Sequence, residues 1–229
     1  MKSILRLERP AVTEDALLRI LRMPADADEE DIRTIREMLA QASARAVPKA
    51  VYDVAFISDK GDHYVKIRDV TIRSPLVREN LDGVNRIVPF VVTCGTELEE
   101  WSRAYDGDPL TQYWADGIKL LYLSVMRGEM TRAVRRMYFP VADMSAMSPG
   151  SLAAWPLTEQ AKVFRLLGGV TEDIGVRLTD SFLMLPSKSA SGFFFSARTH
   201  YENCRLCPMN CPNRRAAYDP AAIQPHSMS

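Results

Sequence analysis

"PGSLAAWPLTEQAKVFRLLGG", residues 149–169, and "IGVRLTDSFLMLPSKSASGFFFS", residues 174–196, together decide the fold. In the first stretch Pro156 stands near the start of a helical pattern and Gly168–Gly169 close it. Proline at the start and glycine past the end is the normal asymmetry of a helix. The second stretch reads as two strands around the loop PSKSASG. A helix followed by a strand pair points to an α+β domain rather than to alternating βαβ units.

Upstream, MSAMSPGSLAAW reads as a loop rich in Ser, Pro and Gly. Before it, a helical region runs from Glu97 to about Phe139, with a break near Gly107–Asp108–Pro109. Leu120, Leu121, Leu123, Val125 and Met126 make it apolar on several sides, which predicts burial. Arg127, Arg132, Arg135 and Arg136 read as a solvated face that suits the negative end of the helix dipole. RIVPFVVTCG is a continuous apolar run, as in a buried strand. Pro89 within it predicts an edge position or a bulge. SPLVRENLDG predicts a short helix closed by Gly83. YVKIRDVTIR alternates but changes phase after Asp69, which predicts a bulge or bend. AVYDVAFIS predicts another strand, and DKGDH a turn.

The first 48 residues read as helical. Leu17, Leu18, Ile20 and Leu21 follow Thr13, Glu14 and Asp15, which suit a helix start. Ile32, Ile35, Met38, Leu39 and Ala42 form one apolar face after the acidic run Asp28–Asp31. The expected organisation is an N-terminal helical segment (1–48), an α+β core (49–197) and a cysteine-bearing tail (198–229). The expected fold class is α+β: a curved, mostly antiparallel sheet with a long buried helix.

Composition narrows the function. The chain has 47% hydrophobic and 25% charged residues, which excludes general disorder. Its 29 basic and 29 acidic side chains cancel, so nothing draws it to nucleic acid or to an anionic membrane. No run of about 18 apolar residues occurs, so no membrane span is expected. The opening MKSILRLERPAVTED carries early charge and no apolar core, unlike a signal peptide. A cytoplasmic, reducing location is the expectation, and grouped thiols there hold metal more often than they form disulfides. There is no P-loop, no G-x-G-x-x-G and no Ser–His–Asp pattern. His63 reads as a surface residue and Cys94 as a small core residue.

The tail carries the strongest motif. Cys204, Cys207 and Cys211 follow C-x2-C-x3-C, with Pro212 directly after. Thiolates are soft anionic ligands for zinc or iron. The spacing reproduces the end of the bacterial ferredoxin run and lacks its first cysteine. An iron–sulfur cluster is the first expectation and a zinc site the second. His200 is the nearest candidate for a fourth ligand; Cys94 and His226 are further off.

The stretch 149–192 also resembles the C-terminal reactivation (activation) domain of cobalamin-dependent methionine synthase, and more closely its small stand-alone relatives. The residues that carry this are Pro149–Gly150, Thr158–Glu159, Ile174–Gly175, Leu178–Thr179, Ser181, Met184, Pro186 and Ser189-x-Ser191-Gly192. VVTCGTELEEW and AVRRMYF fit in order and spacing, so the resemblance spans roughly 50–197. It implies a protein that binds S-adenosylmethionine and presents it to an oxidised cobalamin while one electron arrives, usually from a flavodoxin. The implied partner is a cobalamin-binding methyltransferase or other corrinoid protein, methionine synthase first. The implied cofactor-facing residues are Pro149, Gly150, Ser151, Lys188, Ser189 and Ser191. Ala146 and Ser151 stand where the family has arginine and tyrosine. Alanine cannot grip a carboxylate as arginine does. Ile118–Arg127 contains no Asp or Glu to match the family's helix carboxylate; Asp116 and Glu129 flank it. The alternative expectation is a binding module without catalysis, its tail a structural zinc knuckle.

Overall fold

The computed structural model describes residues 2–197, 201–210, 214 and 216–219. Strand β1 (Ser3–Arg6) precedes helices α1 (Glu14–Leu21) and α2 (Glu29–Ser43). Strands β2 (Lys49–Tyr52), β3 (Ala55–Lys60), β4 (Tyr64–Ile67) and β5 (Val70–Arg73) follow, then α3 (Pro75–Asn80) and β6 (Arg86–Thr93). Helices α4 (Thr96–Ser102) and α5 (Pro109–Tyr138) lead to β7 (Met144–Met147), α6 (Gln160–Leu167) and α7 (Val170–Ile174). The described chain ends with β8 (Arg177–Leu178), β9 (Met184–Leu185), β10 (Ser189–Ser196) and α8 (Asn203–Leu206).

Eight strands form one open sheet, and all its described pairings are antiparallel. The order runs β1-β2-β6-β3-β4-β5, with β10 on the other side of β6 and β7 beyond β10. β8 and β9 make a separate two-stranded ribbon. Each sheet face buries its own core. Val51, Val91, Phe193 and Phe195 pack with Trp155 and with α3, α6 and α7. Tyr52, Phe90, Val92 and Phe194 pack on Met126, Met130 and Val134 of α5. The N-terminal half of α5, with Trp114, Ile118 and Tyr122, forms a third cluster with α1, α2 and α4.

Local chemistry explains the helices. Asp28 caps α2 by accepting from Glu30 N–H at 2.7 Å, and Glu29, Glu30 and Asp31 fill the first turn. The break before α5 occurs because Asp108 is the cap, accepting from Leu110 and Thr111 N–H, with Pro109 at the first position. Burial on several sides of α5 follows from serving two cores at once.

Five sequence expectations need correction. The N-terminal segment 1–48, expected as helical, also holds a strand: SILR pairs with β2 at the sheet edge. The phase change in YVKIRDVTIR is a hairpin turn, not a bulge: Ile67 pairs with Val70 across Arg68–Asp69. Arg68 holds φ 53°, and its guanidinium binds Asp53 at 2.6 Å, Val54 O at 2.7 Å and Leu166 O at 2.8 Å. Those bonds offset a conformation that side chains other than glycine rarely adopt.

Pro89 is central rather than at an edge. β6 is flanked by β2 and β3 on one side and β10 on the other. Asp53 N–H donates to Pro89 O at 3.2 Å, and the ring nitrogen has no proton to return. The missing bond falls where the neighbouring chain breaks between β2 and β3, so the ladder loses little. MSAM, expected as loop, is β7, recruited by the free edge of β10. The expected loop PSKSASG shrinks to Pro186–Lys188, because Ser189 already pairs with Thr93 and Ser191 with Val91.

Candidate functional site

Two regions carry chemistry. The first is an open cleft of about 610 Å³ between α4, the start of α5, Gly175–Arg177 and Leu185–Ser187. Its floor is a chain of charges. Lys119 is 5% exposed and lies 3.1 Å from both Glu99 Oε2 and Asp116 Oδ1. The other Asp116 oxygen accepts from Lys188 Nζ at 3.0 Å. Ser187 donates its N–H to Glu99 Oε1 at 3.2 Å and its hydroxyl to Glu99 Oε2 at 3.0 Å. Lys119 also reaches Ser187 Oγ at 3.4 Å.

The pKa directions follow from this network. Burial works against the Lys119 ammonium, but hydrogen bonding to Asp116 and the charge and hydrogen bond of Glu99 outweigh it and raise its pKa. Burial likewise opposes the Asp116 carboxylate, yet hydrogen bonds from Lys188 and Lys119 hold it below the usual carboxylate value. Lys119 and Asp116 therefore stay charged at neutral pH, each beside opposite charge. The sequence reading missed Glu99 and Lys119 because they sit far apart in the chain. A signal exists: GIKLLYL places a lysine inside an apolar run, three residues after an aspartate.

The expected cofactor-facing residues split between the two faces of the sheet. Lys188 lies on the α5 side, bound to Asp116. Ser189 and Ser191 share the opposite face with Phe193 and Phe195. Ser189 Oγ lies 2.7 Å from Pro186 O and 2.9 Å from Thr93 Oγ1. Ser191 is buried and its hydroxyl donates to Gln160 Oε1 at 2.9 Å. Pro149 is buried, Gly150 has φ 85° with its N–H on Trp155 O at 2.8 Å, and Ser151 is exposed. These three follow β7 beside Gly192, whose Cα would carry a Cβ 2.8 Å from Ser148 Oγ. Ala146 sits in β7 opposite Phe194.

The second region is the tail. Tyr201 N–H donates to Ser145 Oγ at 2.9 Å, which ties the tail to edge strand β7. Tyr201 and Leu206 pack on the core beside Phe195. Burial, then the Glu202 charge, push the Tyr201 phenol well above its usual pKa. Glu202 caps α8 by accepting from Cys204 N–H at 3.3 Å. Cys204 and Cys207 are half-buried and in no disulfide. His200, Cys211 and His226 lie outside the described residues. Among the described residues no group of three His, Cys, Asp or Glu gathers to hold a metal. Cys94 is fully buried, and desolvation pushes its thiol up to about 12, as a core cysteine should be. His63 is exposed. Among the described residues no helix is long and apolar enough to cross a membrane.

An open antiparallel sheet, a long two-core helix and a strand, β10, that leads from within the sheet into a cysteine tail define an α+β protein. Residues 146–204 match the family described as vitamin B12 dependent methionine synthase, activation domain. That match covers about a quarter of the chain. The fold is also similar to a crystal structure of the MetH reactivation domain bound to AdoHcy, with a TM-score of 0.65 and 20% identity over 87% of this chain and 80% of that one. No curated protein sequence matches.

Proposed function

We propose that the chain is an accessory protein for reductive reactivation of a cobalamin-dependent methyltransferase, methionine synthase first among them. In this reading its tail holds an iron–sulfur cluster that donates the electron. One observation carries the reading: the segment similar to the activation domain runs from Ala146 through Cys204. The family-like sheet edge and the first thiol of the cysteine run are therefore continuous. The tether from Tyr201 to Ser145 supports it by holding the tail against that edge.

Cys204, Cys207 and Cys211 would supply three thiolates, with His200 as the candidate fourth ligand. A cluster bound there would supply one-electron chemistry. The sheet and α5 would form the docking body for the corrinoid protein. Ala146 in place of arginine weakens any grip on a methionyl carboxylate, so S-adenosylmethionine is not required by this reading.

Anaerobic reconstitution with iron and sulfide tests it. The wild-type chain should take up iron and show visible absorption that dithionite bleaches. Cys204→Ser, Cys207→Ser and Cys211→Ser should each lose most of the iron, while the far-UV spectrum stays unchanged. Zinc at about one per chain with no iron would instead support a structural knuckle on a binding module. The partner arm is direct. A reduced, loaded chain mixed with a Co(II) corrinoid methyltransferase should restore turnover, and the serine variants should not.

A further inference from the structure

Arg214 is unusual in what it binds. Its Nη1 donates to Cys204 O at 2.7 Å and to Ala216 O at 3.4 Å. Its Nη2 donates to Cys207 O at 2.9 Å and also to Met209 O. One guanidinium therefore gathers four backbone carbonyls, and two of them belong to the thiol-bearing residues. α8 is only four residues long, and Cys207 is its C-cap with extended backbone. The last carbonyls of a helix need donors from outside it, and Arg214 provides them. A second staple holds the same loop: Arg205 binds Asp219 at 3.0 Å, and Asp219 N–H donates to Arg205 O at 2.8 Å.

We propose that Arg214 is the positioning residue of the Cys204–Cys207 pair. It fixes both cysteine peptides before any metal arrives, and it keeps a positive charge beside the thiolates once one has. This role rests on the reading that the tail holds a metal. The chemistry favours arginine over any other side chain. Its donors are fixed in one plane, so two carbonyls on each terminal nitrogen fix the loop's curvature; an ammonium has no such plane. A cation beside an anionic metal–thiolate centre also stabilises the centre's more negative state. Groups behind the ligands commonly change metal affinity by about 10- to 100-fold.

The test uses the full chain with Arg214→Gln and Arg214→Lys, reconstituted with ferrous iron and sulfide. Three readouts are taken: iron per chain, metal affinity by competition with a chelator, and reduction potential. Both variants lose the planar fork, so each should bind metal about tenfold more weakly than wild type. They should part on potential. Arg214→Lys keeps the charge and stays near wild type, whereas Arg214→Gln falls to a lower potential. A purely structural loop cap would not separate the two variants in this way. A wild-type chain that loads, with both variants loading equally at an equal potential, overturns the role of Arg214 alone. A wild-type chain that takes up neither iron nor zinc overturns the tail reading, and this role with it.

Discussion

Gly192→Ala should destabilise the protein by about 3 kcal/mol and lower the unfolding midpoint by about 10 °C. A Cβ at this position would lie 2.2 Å from Met147 O and 3.2 Å from Met147 C. These are backbone atoms of β7, so no rotamer change relieves the clash. β7 would have to leave β10, giving up the ladder from Phe193–Met147 to Ser196–Met144. It would also lift Pro149 and Gly150 from the sheet edge and loosen the Ser145 tether of the tail. Gly128 is the internal control. It sits in α5, and a Cβ there meets nothing nearer than Arg132 Nη1 at 3.7 Å. Gly128→Ala should stabilise by about 0.5–1 kcal/mol, since only helix propensity changes. Denaturant melts of the two variants should move in opposite directions. Equal melts would mean that β7 is not packed on β10 as described.

Lys119→Met should lower stability by about 3 kcal/mol at neutral pH, because it strands carboxylates that lose a buried partner. Glu99 and Asp116 are partly exposed, with side chains 23% and 45% accessible, which places the loss at the low end of the range for such pairs. The effect should depend on pH at both ends. The folded pKa of Asp116 is depressed, so its contribution is present above the unfolded value of about 3.9 and lost as pH falls through the folded value. The folded pKa of Lys119 is raised, so its contribution is complete below the unfolded value of about 10.4 and lost as pH rises through the folded value. The gap between wild type and Lys119→Met should therefore be flat from about pH 5 to 9 and close outside that window. A gap that does not depend on pH would assign the loss to packing instead.

The sequence carried the helices well because their signals are local. Asp28 with its acidic first turn, and Asp108–Pro109 at the break, each act on the next three residues. Strands were harder because their partners are remote. MSAM has little strand character and becomes β7 only because β10 offers an edge 46 to 52 residues later. SILR at β1 is the same case, paired with β2. Pro89 misled because the rule against central prolines assumes an unbroken neighbour, and here the neighbour breaks at Asp53–Val54. The cysteines were legible as a motif. The cleft was not, since Glu99, Asp116, Lys119 and Ser187 meet only after α4, α5 and the Pro186–Lys188 loop have packed.

The position of β6 also sets a timetable for synthesis. Its partners β2 and β3 are made before it, but β10, which closes its other side, begins only at Ser189. About 100 residues must be added in between, and at roughly 5–20 residues per second an apolar strand stands open for roughly 5–20 s. Stacking of such strands between chains needs an N–H and a C=O from every residue on both edges. Pro89 withholds its donor on the side where Asp53 N–H meets Pro89 O, so the side that awaits β10 keeps every donor of RIVPFVVT. The residue that interrupts the finished ladder therefore leaves the half-made edge able to pair, and that edge stays open until Ser189 arrives.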